Sequence, residues 1–160
     1  MQNRKGFTLI ELLVVIAIIG VLSTLAVVAL NNARLKSRDA ARVSAVKQMQ
    51  TALELYFGDQ NSYPVNATAI TLGEGTSCTT ACLALSSTNG FGATAAGTTY
   101  MGQLPKNPTP NGAAYTYKSN AAGSNYEISF TLEGTTGGLA VGAGCATPSG
   151  IKTGACSGTP

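Results

Sequence analysis

The sequence predicts an α+β chain: one long N-terminal helix, its first half able to span a membrane, its second half packed on a small antiparallel sheet. Three observations predict this. From Phe7 to Leu30, 19 of 24 positions are apolar. The apolar residues then continue at helical spacing, with no Gly or Pro, as far as Phe57. Further on, Tyr126, Ile128, Phe130 and Leu132 alternate with Glu127, Ser129, Thr131 and Glu133, the period of a half-buried strand.

Composition excludes other classes. A chain of 160 residues has room for one domain. From Gly58 onward, 43 of 103 residues are Gly, Thr or Ser, and all six prolines lie there. The glycines have no three-residue period, so the chain is not collagen-like. It contains no His, which removes the usual general base of hydrolases and the commonest metal ligand. The formal charge of +3 is uneven: residues 1–50 carry seven basic and two acidic side chains, residues 51–160 three and five.

Residues 7–30 form the first element. About 20 apolar residues span a bilayer core as a helix. Arg4 and Lys5 stand just before it and predict a cytoplasmic N-terminus. A secretory signal peptide would have a shorter apolar run ending at a small-residue cleavage site. Glu11 interrupts the pattern, and a carboxylate at a membrane helix centre costs about 2.5–3.5 kcal/mol on insertion scales. Its charge either reaches the headgroups or meets a cationic partner.

Residues 31–58 continue the helix in amphipathic form. Leu35, Val43, Val46, Met49 or Gln50, Leu53 and Tyr56–Phe57 make one stripe, with Arg34, Lys36, Arg38, Arg42 and Lys47 mostly on other faces. Asn31-Asn32 is the weakest point, and Gly58 is the expected C-cap. Such a helix is too long for a core of this size. Its first half must find lipid or other copies of itself.

Residues 59–160 form the globular part. Tyr115 and Tyr117 begin a hairpin over 114–133, turned by Asn120-Ala121-Ala122-Gly123-Ser124, and Leu139 to Val141 suggests a third strand. Residues 65–104 read as a long irregular connection. Cys78, Cys82, Cys145 and Cys156 allow three pairings. Their C-x₃-C and C-x₁₀-C spacings fit a zinc site poorly.

Lys5-Gly6-Phe7-Thr8-Leu9-Ile10-Glu11, running into Leu12-Leu13-Val14-Val15-Ile16-Ala17-Ile18-Ile19-Gly20, resembles the N-terminus of type IV pilins and type II secretion pseudopilins. Tyr63-Pro64 and Leu104-Pro105-Lys106-Asn107-Pro108 are softer matches to the same family. The resemblance implies the pilin-like fold and a leader, residues 1–6, cut by a prepilin peptidase between Gly6 and Phe7. It further implies N-methylation of Phe7 and an assembly role for Glu11, which would neutralise the amine of a neighbouring subunit. Val28 stands where many pilins have Pro, so the missing amide that would help the helix melt beyond Gly20 is not supplied here.

By the same resemblance, Cys145 pairs with Cys156 around a C-terminal loop over 145–156, and Cys78 pairs locally with Cys82. The implied function is structural: a subunit of a helical homo-oligomeric filament, an extracellular type IV pilus. It would be held in the inner membrane with its N-terminus inside until an assembly ATPase and platform protein extract it. Nothing acidic follows Glu133 to build the calcium site of many secretion pseudopilins, which favours a pilus subunit. The alternatives are a type II secretion pseudopilin and a membrane-anchored adhesin or DNA-binding minor pilin. No residue pattern itself supports binding of DNA or a surface. No enzymatic activity, cofactor or metal is expected, since no nucleophile–base pair or ligand cluster is visible.

Overall fold

The computed structural model describes residues 6–74 and 82–160. It divides into two units, one up to Leu35 and one from Lys36 to Pro160. A single helix, α1 (Leu9–Gln60), contributes to both. It runs through Gly20, Val28 and Asn31-Asn32 without a break. Gly58 is not its cap. The helix ends after Gln60, where Asn61 takes φ 53° and donates its N–H to Phe57 O at 2.8 Å. Asn tolerates the left-handed conformation, so it serves as the stop while Gly58 stays helical.

In the second unit, α1 buries Asp39, Arg42, Ala45, Val46, Met49, Ala52, Leu53 and Tyr56. Steps of three and four residues place these on one face. They meet a five-stranded antiparallel sheet in the order β1 (Ile70–Thr71), β5 (Thr116–Ser119), β6 (Tyr126–Leu132), β7 (Gly142–Thr147) and β8 (Gly150–Thr153). Its centre is the expected hairpin, β5 (Thr116–Ser119) and β6 (Tyr126–Leu132), in a register that sets Tyr117 opposite Ile128. The turn needs Gly123: at φ +64°, a Cβ there would lie 2.8 Å from Tyr63 O. The aromatic residues pack as core, with Tyr63 and Tyr126 rings 4.7 Å apart and Phe91 and Tyr117 rings 4.6 Å apart.

Two expectations about the C-terminal part are corrected. Leu139 to Val141 is not a strand; only an isolated bridge joins Thr136 and Leu139. The third strand is β7 (Gly142–Thr147), which pairs with β6 and with β8 (Gly150–Thr153). β7 lacks a large-apolar alternation because Phe130 fills the space above it. A Cβ on Gly144 would lie 2.3 Å from the ring. The segment from Cys145 to Cys156 is therefore mostly a hairpin turned at Pro148-Ser149, and not a loop.

The connection over 65–104 is also more ordered than expected. Ile70–Thr71 forms β1 on the main sheet's edge. β2 (Ala84–Ser86), β3 (Gly90–Gly92) and β4 (Thr99–Met101) make a second sheet in the order β3-β2-β4. Leu72, Leu85, Phe91 and Leu104 bury their side chains in the common core. Strands of two or three residues are too short to produce a readable alternation.

Candidate functional site

The N-terminal candidates share one stretch of the first unit. Gly6 and Phe7 precede the helix and are exposed, Phe7 to 85%. Every Phe, Leu, Ile and Val side chain from Phe7 to Leu30 is at least 46% exposed. α1 is long and apolar enough to cross a membrane. Among the described residues nothing covers this surface, and exposed apolar area of this kind calls for lipid or other chains.

Glu11 has a local role that the sequence reading missed. Thr8 is the N-cap and Glu11 the third helical residue, the spacing of a capping box. The Glu11 carboxylate accepts the Thr8 N–H at 2.8 Å and the Thr8 hydroxyl at 2.7 Å. In return, Glu11 N–H donates to Thr8 Oγ1 at 3.3 Å. The Thr-x-x-Glu signal was legible, but the adjoining apolar run drew the reading toward the membrane. The box satisfies hydrogen bonds without neutralising the charge.

A second constellation was also missed, and it lies inside the globular unit. Arg42, expected on an outer face, is fully buried, as is Asp39. Its guanidinium donates to Asp39 Oδ1 at 2.6 Å, Asn107 Oδ1 at 2.8 Å, Pro108 O at 2.9 Å and Asn111 O, and pairs with Glu133 Oε1 at 2.6 Å. Arg38 adds a two-pronged contact to Glu133, at 2.7 and 2.5 Å. Asp39 accepts the backbone N–H groups of Glu133 at 3.0 Å and Gly134 at 2.7 Å. Helix, β6 exit and the 105–112 segment are thereby tied at one point. The Arg38 guanidinium foremost, helped by Asn111 and Arg42, holds the Glu133 carboxyl well below the usual carboxylate range, against burial that pushes it up. This is a structural clamp: a buried pair gains little over apolar packing but is costly to break.

Cys145 and Cys156 form the expected disulfide, with Cα atoms 5.0 Å apart. The expected Cys78–Cys82 pair involves Cys78, which lies outside the described residues; Cys82 itself is buried. Among the described residues, no three His, Cys, Asp or Glu side chains gather to hold a metal.

Comparison with known proteins bears on the N-terminal stretch. The prokaryotic N-terminal methylation motif matches residues 1–27. The chain is 41% identical over 70 residues to the type IV wide pilus major component PilA4 of Thermus thermophilus, covering 44% of this chain and 53% of that one. It is 41% identical over 62 residues to the type II secretion system core protein G of Pectobacterium carotovorum, covering 39% and 40%. With the type IV major fimbrial protein FimA of Dichelobacter nodosus it shares 45% over 51 residues, covering 32% and 33%. The chain thus spans roughly a third to a half of the length of these relatives. No solved structure is a significant match. Over its N-terminal part the chain is similar to type IV pilins and to secretion pseudopilins alike.

Proposed function

We propose that this pilin and pseudopilin homologue is the precursor of a type IV pilus subunit, a building block with no enzymatic role. One observation carries the reading: an uncovered apolar helix, within the matched methylation motif, that bears one carboxylate four residues after Phe7. Residues 1–6 act as the leader, cut by a prepilin peptidase between Gly6 and Phe7, with Phe7 then N-methylated. The segment 7–30 resides in the inner membrane with its N-terminus inside and afterwards packs among copies of itself in the filament. An assembly ATPase and platform protein drive the transfer, and residues 59–160 coat the outside.

In the apolar filament interior, Glu11 meets the amine at Phe7 of a neighbouring copy. An unpaired carboxylate there is expensive, so pairing selects one axial register. In this reading the capping box holds Glu11 before assembly. Glu11→Ala should stay membrane-inserted yet yield few sheared fibres when it is the sole copy. Normal fibre numbers would refute the assembly role.

A second reading, a type II secretion pseudopilin, is favoured by the likeness to core protein G. Co-purification with secretion components in place of surface fibres would support it. Recovery as monomers only would support a membrane-anchored adhesin or DNA-binding minor pilin.

A further inference from the structure

The face of the five-stranded sheet turned away from α1 carries residues 154–160. After β8, the chain reverses at Gly154, whose φ is +112° and whose N–H donates to Ala143 O at 2.8 Å. It then crosses the sheet in strand order. Cys156 is bonded to Cys145 on β7. Ser157 N–H reaches the Glu127 carboxylate on β6 at 3.1 Å, Gly158 N–H reaches its other oxygen at 2.9 Å, and the Ser157 hydroxyl donates to it as well. Lys118 on β5, directly opposite Glu127 in register, donates to Gly158 O. Glu127 and Lys118 alternate with core-facing Ile128 and Tyr117, so they belong to the outer face.

Glu127 is the anomaly that asks for an account. It is 6% exposed on a face that would otherwise be open to solvent. A carboxylate removed from water is costly unless its lone pairs are satisfied, and here the tail satisfies them. We propose that residues 154–160 form a strap held over the sheet by two separate latches: the Cys145–Cys156 bond and the Glu127 carboxylate, which grips two successive backbone N–H groups. The disulfide places Ser157 one residue from its anchor, so Glu127 captures the tail of its own chain and not that of a neighbour. Opening one latch leaves the strap in place. Opening both uncovers Glu127 and Lys118, paired in register on the outer face of the sheet. The strap is therefore held unless the disulfide and the carboxylate contact are both absent.

Hydrogen exchange on the full-length chain tests this, with carboxypeptidase trimming as a second readout. Glu127→Gln, disulfide intact, should raise exchange at Ser157 and Gly158 about tenfold and leave the Gly154 amide unchanged. Cys145→Ser with Cys156→Ser should leave residues 157–160 largely protected. Only the combination should allow rapid trimming to Ser157. Ser157→Pro removes two donors to Glu127, the N–H and the hydroxyl, at an exposed position outside the sheet, and should loosen Gly158 even if Glu127→Gln folds poorly. Unchanged exchange at Gly158 in both Glu127→Gln and Ser157→Pro would overturn the carboxylate latch. Full loss of protection on removing the cysteines alone would overturn the independence of the two.

Discussion

The stretch from Phe7 to Leu30 and the unit from Lys36 to Pro160 treat apolar surface and charge in opposite ways. Among the described residues, the first leaves its large apolar side chains uncovered and gives its one carboxylate the hydrogen bonds of Thr8 alone. The second covers most of its large apolar residues and surrounds Asp39 and Glu133 with two guanidinium groups and several N–H donors. A domain that ends as a monomer closes both accounts within one chain. Among the described residues only the second unit does; the first lacks a cover for its apolar surface and a cation for its carboxylate.

The sharpest way to break this contrast is to open the closed half. Arg42→Ala should cost about 3–5 kcal/mol of unfolding stability in the full chain, because it leaves the fully buried Asp39 carboxylate without its cationic partner. Membrane insertion should be unaffected. Chemical denaturation in detergent, followed by tyrosine fluorescence, reads the first effect and membrane fractionation the second. A loss near zero would mean that the clamp is not closed as described.

The next effect is steric. Gly144→Val places a side chain where the Phe130 ring already lies, which should cost about 1–3 kcal/mol. Adding Phe130→Ala should recover part of that loss, although each change alone is harmful. Thermal melts of the two single variants and the double variant decide it, and a strictly additive loss would deny the contact.

Acid should act on the same clamp. The folded Glu133 carboxyl is held below the ordinary value of 4.5, so its contribution is fully present above that pH. It is lost as pH falls from there through the depressed folded value. Glu133→Gln should therefore flatten the acid side of the stability curve between about pH 4.5 and 2. An unchanged acid limb would show that the pairing carries no linkage.

The smallest effect concerns the core. Tyr115 is buried, its hydroxyl has no partner among the described residues, and burial pushes its phenol up to about 12. Tyr115→Phe should be neutral or stabilising by up to about 1 kcal/mol. A clear loss in the melting temperature would reveal a hydrogen bond that matters.

Legibility in the sequence follows the same division. The apolar run, the 43–57 stripe and the Tyr126 strand were readable because each repeats one period over several residues. β7 was not, because its partner Phe130 supplies the bulk and the strand itself needs only Gly and Ala. The short strands β1 to β4 are two or three residues long, too few to show alternation. Arg42 was misplaced because a charge on an amphipathic helix is normally solvated. Its partners Asn107, Asn111 and Glu133 lie 65 to 91 residues away, so no local pattern announces them. At the N-terminus, Gly6, Phe7 and Glu11 were legible by motif, while the capping role of Thr8 needed the geometry.

The proposal that the uncovered helix is a processed filament segment is tested most directly by the intact mass of the protein recovered from sheared surface material. The expected mass corresponds to a chain beginning at Phe7 with one added methyl group, and Gly6→Val should retain the leader. A chain that still begins at Met1, or one cut after Ala29, would contradict it.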